Sequence, residues 1–223
     1  MPEPPDLFTI VDHYIAELFA PTDDALEFAL NQAKTSALPE IQVSATQGKF
    51  IYLLAKIMGA RRILEIGTLG GYSTIWLARA LPEDGRLVTL EIDPRHAEVA
   101  AASLARAGLS TKVEIIVGSA LQTLPKLCAE AAEPFDLVFL DADKENYPNY
   151  YSHVMRAVHR GSVILADNVV REGAVLAPRQ GDSSVVAARA FNALIAADDR
   201  LEALVLQQVG VKGHDGLAIA RVK

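Results

Sequence analysis

The chain has 223 residues, 51% hydrophobic and 22% charged, a globular composition that excludes wholesale disorder. Its formal charge of -7 argues against nucleic acid or an anionic membrane as the main partner and is compatible with a cationic ligand or a metal ion. One cysteine, Cys128, excludes an internal disulfide framework; with no apolar run of transmembrane length and an acidic, proline-rich start that is no signal peptide, the expected location is the cytoplasm.

Residues before Leu7 read as a frayed tail. Leu7 to Phe19 carries apolar residues at helical spacing, and Pro21 stops it. Thr22 or Asp23 can cap a second helix, from Asp24 to about Ser36. Ser44 can cap a third, with Gln47 in a capping-box arrangement, and Gly59 ends it. These 60 residues form a helical segment; residues 61–223 read as an α/β core of the same domain. The core alternates: strand 62–66, helix 72–81, strand 86–92, helix 95–107, strand 112–117 and a helix to about Ala132. Strand 135–140 is apolar on both faces, as a central parallel strand is. A helix from about Tyr147 to Val158, strand 162–166 and an irregular loop over 169–181, long enough for a lid or substrate wall, follow. Helix 183–197 and strands 201–208 and 215–222 complete the chain. The pattern predicts a doubly wound, mostly parallel seven-stranded sheet. The short last connection makes its final pair antiparallel.

The strand–turn–helix over Arg62 to Ala80 is the centre of this arrangement. Gly67, Gly70 and Gly71 permit a backbone that a β-carbon would block. Such a turn lies at the carboxyl end of the first strand, where ligands bind. Glu65, a carboxylate inside that strand, is costly unless something uses it. Glu91 ends the second strand, placed to accept hydrogen bonds from both hydroxyls of a ribose. Dinucleotides and S-adenosylmethionine share this geometry. The turn is not G-x-G-x-x-G, so it fits a ligand without a pyrophosphate.

Asp141, Asp167 and Asn168 each follow an apolar strand directly, on the same sheet edge as the glycine turn. Three oxygen donors without histidine or cysteine suit a hard cation, magnesium first, with manganese or calcium as alternatives. Helix caps and loop carboxylates are the plainer account of the same residues. Lys144 beside such a cation could take a proton, its pKa lowered by the charge and by desolvation; a salt bridge with Asp143 or Glu145 is the plainer account. The five histidines fall into no ligand spacing, with His96 and His153 expected on exposed helix positions.

VSATQGKF, LEIGTLGGYST, LEIDP, GSAL, FLDADKENY, LADNV and DGLAIA follow one another in that order from Val43 onwards. With these, the chain resembles the cation-dependent O-methyltransferases of the catechol and caffeoyl-CoA type. The resemblance implies a Rossmann-like S-adenosylmethionine-dependent methyltransferase fold. It implies cofactor contacts at Val43, Glu65, Gly67, Thr68, Ser73, Glu91 and the Gly118-Ser119-Ala120 turn, with Asp141 beside them. It implies metal ligation by Asp141, Asp167 and Asn168, a catalytic base at Lys144, and substrate-side positions at Asp143 and Tyr147. A homodimer is implied as well. The expected activity is methyl transfer to a phenolic small molecule with two adjacent hydroxyls. A nicotinamide-dependent oxidoreductase and a non-catalytic S-adenosylmethionine-binding protein are the alternatives.

Overall fold

The computed structural model describes residues 6–130 and 133–223; the tail before Leu7 and the expected end of a helix at Ala132 lie outside them, save Asp6. Three helices come first: α1 (Leu7–Phe19), α2 (Asp24–Thr35) and α3 (Ala45–Met58). Each starts where a side chain takes up free backbone donors. Asp6 accepts from Thr9 N, Asp23 from Ala25 N and Leu26 N, and Ser44 from Gln47 N. Gly59, left-handed at φ 68°, closes α3.

The core then runs β1 (Arg62–Ile66), α4 (Tyr72–Ala80), β2 (Arg86–Glu91), α5 (Pro94–Arg106), β3 (Val113–Val117), α6 (Ala120–Glu130) and β4 (Phe135–Leu140). It continues with α7 (Tyr147–Val154), β5 (Val158–Ala166), α8 (Ser183–Ala197), β6 (Leu201–Gln208) and β7 (Asp215–Val222). The seven strands lie in the order β3-β2-β1-β4-β5-β7-β6. All neighbours are parallel except β7, antiparallel to both β5 and β6. The strand order reverses between β1 and β4, so a crevice opens at their carboxyl ends.

Period-two alternation sorts the strands into two buried layers. Ile63, Leu87, Leu137 and Phe139 pack with Ile51, Ile75 and Trp76 on one face. Leu64, Ile66, Val138 and Ile164 pack with Tyr147, Val154 and Phe191 on the other. Full burial of a Phe- or Ile-sized side chain contributes about 1.5–3 kcal/mol, enough to fix the strand faces and hence where each strand end points. Trp76 belongs to this core, with Tyr52 edge-on at 6.1 Å.

Two boundaries differ from expectation. Helix α7 stops at Val154 and β5 starts at Val158, four residues before the strand read from the sequence. Ser162 explains this: its hydroxyl donates to Phe135 O (2.8 Å) and accepts from His159 N (2.9 Å), while Gly161 turns left-handed. The residues from Val158 thus join β4 through a register shift. The loop over 169–181 contains a 3₁₀ segment, Arg171–Leu176, broken by left-handed Glu172 and Gly173.

Helix α1 has no buried residue. It is tethered through Asp12, which accepts from Thr46 Oγ1 (2.9 Å) and Val211 N (3.1 Å). Among the described residues no helix is long and apolar enough to cross a membrane.

Candidate active site

The turn after β1 is built by close approach. At Gly67 (φ 102°) any β-carbon would collide with the carbonyl of Asp141, so the ends of β1 and β4 meet only because glycine stands there. Gly71, also left-handed, opens α4 without a side-chain cap. Glu91 then organises the turn from the end of β2. Its Oε2 accepts from Thr68 N (3.2 Å) and Leu69 N (2.8 Å), and its Oε1 from Asp93 N (3.0 Å). Glu91 is only 6% exposed but still lines the cleft, and a carboxylate has capacity beyond these three donors.

Glu65 lies one layer behind. It is fully buried on the α4 side of the sheet and accepts from Ser73 Oγ (2.7 Å), Thr74 Oγ1 (2.6 Å) and Thr89 Oγ1 (2.7 Å). Burial pushes its carboxyl up to about 7, against the opposing pull of these three hydroxyls. Glu65 thus stands behind the cleft wall, one hydrogen bond from it. Ser73 is the group at the cleft wall, and Glu65 holds Ser73.

The cleft encloses about 700 Å³ over the strand ends. Val43, Gly67, Thr68, Ser73, Glu91, Ser119 and Ala120 line it from the turn side; Asp141, Lys144 and Asn168 line it from the other. Asp167 is 4% exposed and borders a neighbouring cavity that shares Asn168 with the cleft. Burial, and next the charge of Asp141, push the Asp167 carboxyl up to about 7. Two carboxylates and an amide at adjacent strand ends are a hard-oxygen set whose mutual repulsion a cation relieves, so the residues fit a divalent ion. The set holds no third acid, and no cluster of three His, Cys, Asp or Glu side chains suited to a metal occurs among the described residues.

Lys144 opens a 3₁₀ turn, Lys144–Asn146, and its Nζ sits 2.8 Å from Asp141 Oδ1. Burial, the largest influence, acts to lower its pKa, but Asp141 and Tyr147 together outweigh it and hold the ammonium well above its ordinary value. Burial thus acts in the expected direction, and the salt bridge is made with Asp141 and not with Asp143 or Glu145.

Tyr147 also differs from expectation. It is fully buried and its hydroxyl donates to Leu140 O (2.9 Å) and Asp167 O (3.0 Å). It ties the ends of β4 and β5 together and faces no substrate. Asp143 does line the cleft, accepting from the Tyr150 hydroxyl at 2.5 Å.

Sequence reasoning missed three residues here. His96, half-buried, lines the cleft with Nδ1 3.5 Å from Glu91 Oε1, so its assignment to an exposed position is corrected. Gln47 does not complete a capping box. Its side chain stands beside Asp167, and Nε2 has no hydrogen-bond partner among the described residues. Arg171 reaches the cleft from the loop after β5. Only the place of Gln47 before the glycine turn was a signal; the other two depend on contacts distant in sequence.

Residues 21–223 match the family described as O-methyltransferase. A catechol O-methyltransferase of Niastella koreensis is 50% identical over 217 residues, covering 97% of this chain and 98% of the relative. The solved O-methyltransferase of Bacillus cereus in complex with SAH superposes with a TM-score of 0.94 at 49% identity, covering 97% of this chain and 98% of that one. The O-methyltransferase of Streptomyces achromogenes involved in tomaymycin synthesis, solved in complex with SAM, gives 0.93 at 46% identity and 97% coverage of both chains.

Proposed function

Because the chain belongs to the O-methyltransferase family and is an S-adenosylmethionine-dependent methyl-transfer enzyme, we propose that it methylates one oxygen of a phenol with two adjacent hydroxyls, using a divalent cation. The observation that carries this proposal is the pairing of Asp141 and Asp167 at adjacent strand ends, with Asn168 and Lys144, on the rim that also bears the glycine turn.

On this account Glu91 receives the ribose hydroxyls while its backbone bonds keep the turn in shape. Val43, Ser73, backed by Glu65, and the Ser119-Ala120 turn line the rest of the cofactor's place. Transfer breaks a carbon–sulfur bond, whose electrons stay on sulfur, and forms a carbon–oxygen bond; the phenolic proton must leave. A free phenol has a pKa of about 10, so its oxyanion is scarce at neutral pH. Asp141, Asp167 and Asn168 would hold magnesium, or manganese or calcium, which supplies Lewis acidity toward the oxygen and offsets the charge of Asp141. Lys144, relieved of that charge, would give its ammonium proton to solvent and, as the neutral amine, would then accept the phenolic proton.

The test is product analysis with catechol and its isomer resorcinol, whose hydroxyls are not adjacent. One monomethyl ether from catechol and none from resorcinol is expected; equal yields would remove the vicinal-diol requirement.

We also infer a cytoplasmic homodimer. Its support is the exposed apolar surface of α1, with Phe8 57% and Phe19 64% exposed, and of edge strand β6, with Leu204 52% exposed. Light scattering that returns a monomer at micromolar concentration would refute the dimer.

A further inference from the structure

We propose that Arg171 selects substrates bearing a carboxylate on the ring opposite the two hydroxyls, an inference that rests on the methyl-transfer proposal above. Two fully cationic side chains line the cleft, Lys144 and Arg171. Lys144 is neutralised by Asp141 at 2.8 Å. The Arg171 guanidinium forms no ion pair, and its Nε, buried, has no hydrogen-bond partner among the described residues. Asp182 caps α8, accepting from Val185 N (3.1 Å) and Ser184 Oγ (2.9 Å); it feels the charges of Arg171 and Arg179 at longer range without an ion pair to either among the described residues. The cleft wall therefore carries a guanidinium that makes no ion pair and no side-chain hydrogen bond among the described residues.

The backbone fixes where this charge stands. Arg171 and Glu172 both have φ 54°, a conformation sparsely populated outside glycine. It is held from the start of β7, the strand paired with β5: Asp215 Oδ1 accepts from Val170 N and Arg171 N (2.9 Å each), and His214 O from Glu172 N (3.1 Å). Arg171 thus lines the same cleft as Asp141 and Asn168. A planar guanidinium matches a carboxylate with two parallel hydrogen bonds. A dihydroxybenzoate-type acid, diol toward Asp141 and Asn168 and carboxylate toward Arg171, satisfies both ends.

The experiment compares kcat/KM for 3,4-dihydroxybenzoate, its neutral amide and catechol in the intact enzyme with magnesium. The amide controls for the electron withdrawal that also changes phenol acidity. Charge-assisted hydrogen bonds predict a preference for acid over amide of about 10–100-fold. In Arg171→Gln this preference collapses through KM, while catechol turnover and melting temperature hold; Arg171→Lys keeps part of it. Equal wild-type rates for acid and amide overturn the inference, as does a Gln variant that loses activity equally on all three substrates. Catechol methylated without any acid preference sinks this inference alone. No transfer to any of the three sinks the methyl-transfer proposal with it.

Discussion

Tyr147→Phe isolates the joint between the two acidic strand ends. The substitution removes one hydroxyl and keeps the ring, which packs edge-on to Phe191 at 5.5 Å. One donated proton is lost, shared between Leu140 O and Asp167 O. Leu140 O retains its bond from Asp167 N (2.9 Å), whereas Asp167 O loses this donor in a fully buried place. The phenol has a single proton shared between the two carbonyls, so the cost is set by leaving Asp167 O buried without a donor, about 1–3 kcal/mol. A loss of about 2 kcal/mol lowers the melting temperature of a chain this size by about 4–8 °C. Because the hydroxyl sets the spacing of the strands that bear Asp141 and Asp167, magnesium should bind more weakly while S-adenosylmethionine, held at β1 and β2, binds as before. Thermal melts and two calorimetric titrations read these quantities. An unchanged melting temperature with unchanged magnesium affinity would refute the joint.

Lys144→Ala should cut methyl transfer by about 10²–10⁴-fold, with a deficit that shrinks for nitrocatechols, whose hydroxyl ionises unaided; a deficit independent of phenol acidity would leave Lys144 as only the partner of Asp141. Glu91→Ala should weaken cofactor binding by more than the about 1.5–3 kcal/mol of hydrogen bonds to a charged group, because it also frees Thr68 N and Leu69 N; binding within twofold of wild type would contradict this. Glu65, raised from 4.5 to about 7 in the folded protein, binds its proton more tightly there than in the unfolded chain. Stability should therefore decline as pH rises from 4.5 toward 7. Glu65→Gln should flatten part of that slope in urea titrations, the remainder belonging to Asp167, and an identical slope would count against a buried, titrating Glu65.

Much of this was legible in the sequence because it is local. Helices α1 and α8 begin and end where their periodicity and flanking residues place them, and all seven strands follow from apolar runs bounded by turns. The glycine turn and the acids at the ends of β4 and β5 converge because parallel strands bring their carboxyl ends to one edge. What escaped depends on partners far along the chain. The early start of β5 needs Ser162 to meet Phe135, and the shelter of Glu65 needs Thr89 on the next strand. Tyr147 sits in a motif that suggests substrate, yet its hydroxyl turns inward to two backbone carbonyls. Lys144 pairs with Asp141, three residues back, and not with the adjoining Asp143 or Glu145 that its spacing suggests. Left-handed Arg171 carries no glycine to signal its turn; Asp215, 44 residues away, imposes it.

The central claim is that Asp141, Asp167 and Asn168 hold the cation on which methyl transfer depends. It is tested most directly by titrating magnesium into chelator-stripped enzyme turning over catechol with saturating S-adenosylmethionine, beside Asp167→Asn. The account predicts negligible product without magnesium, a saturable return of the monomethyl ether as it is added, and a curve shifted to higher magnesium in the variant. Full turnover in the presence of chelator, or superimposable curves for the two proteins, would contradict it.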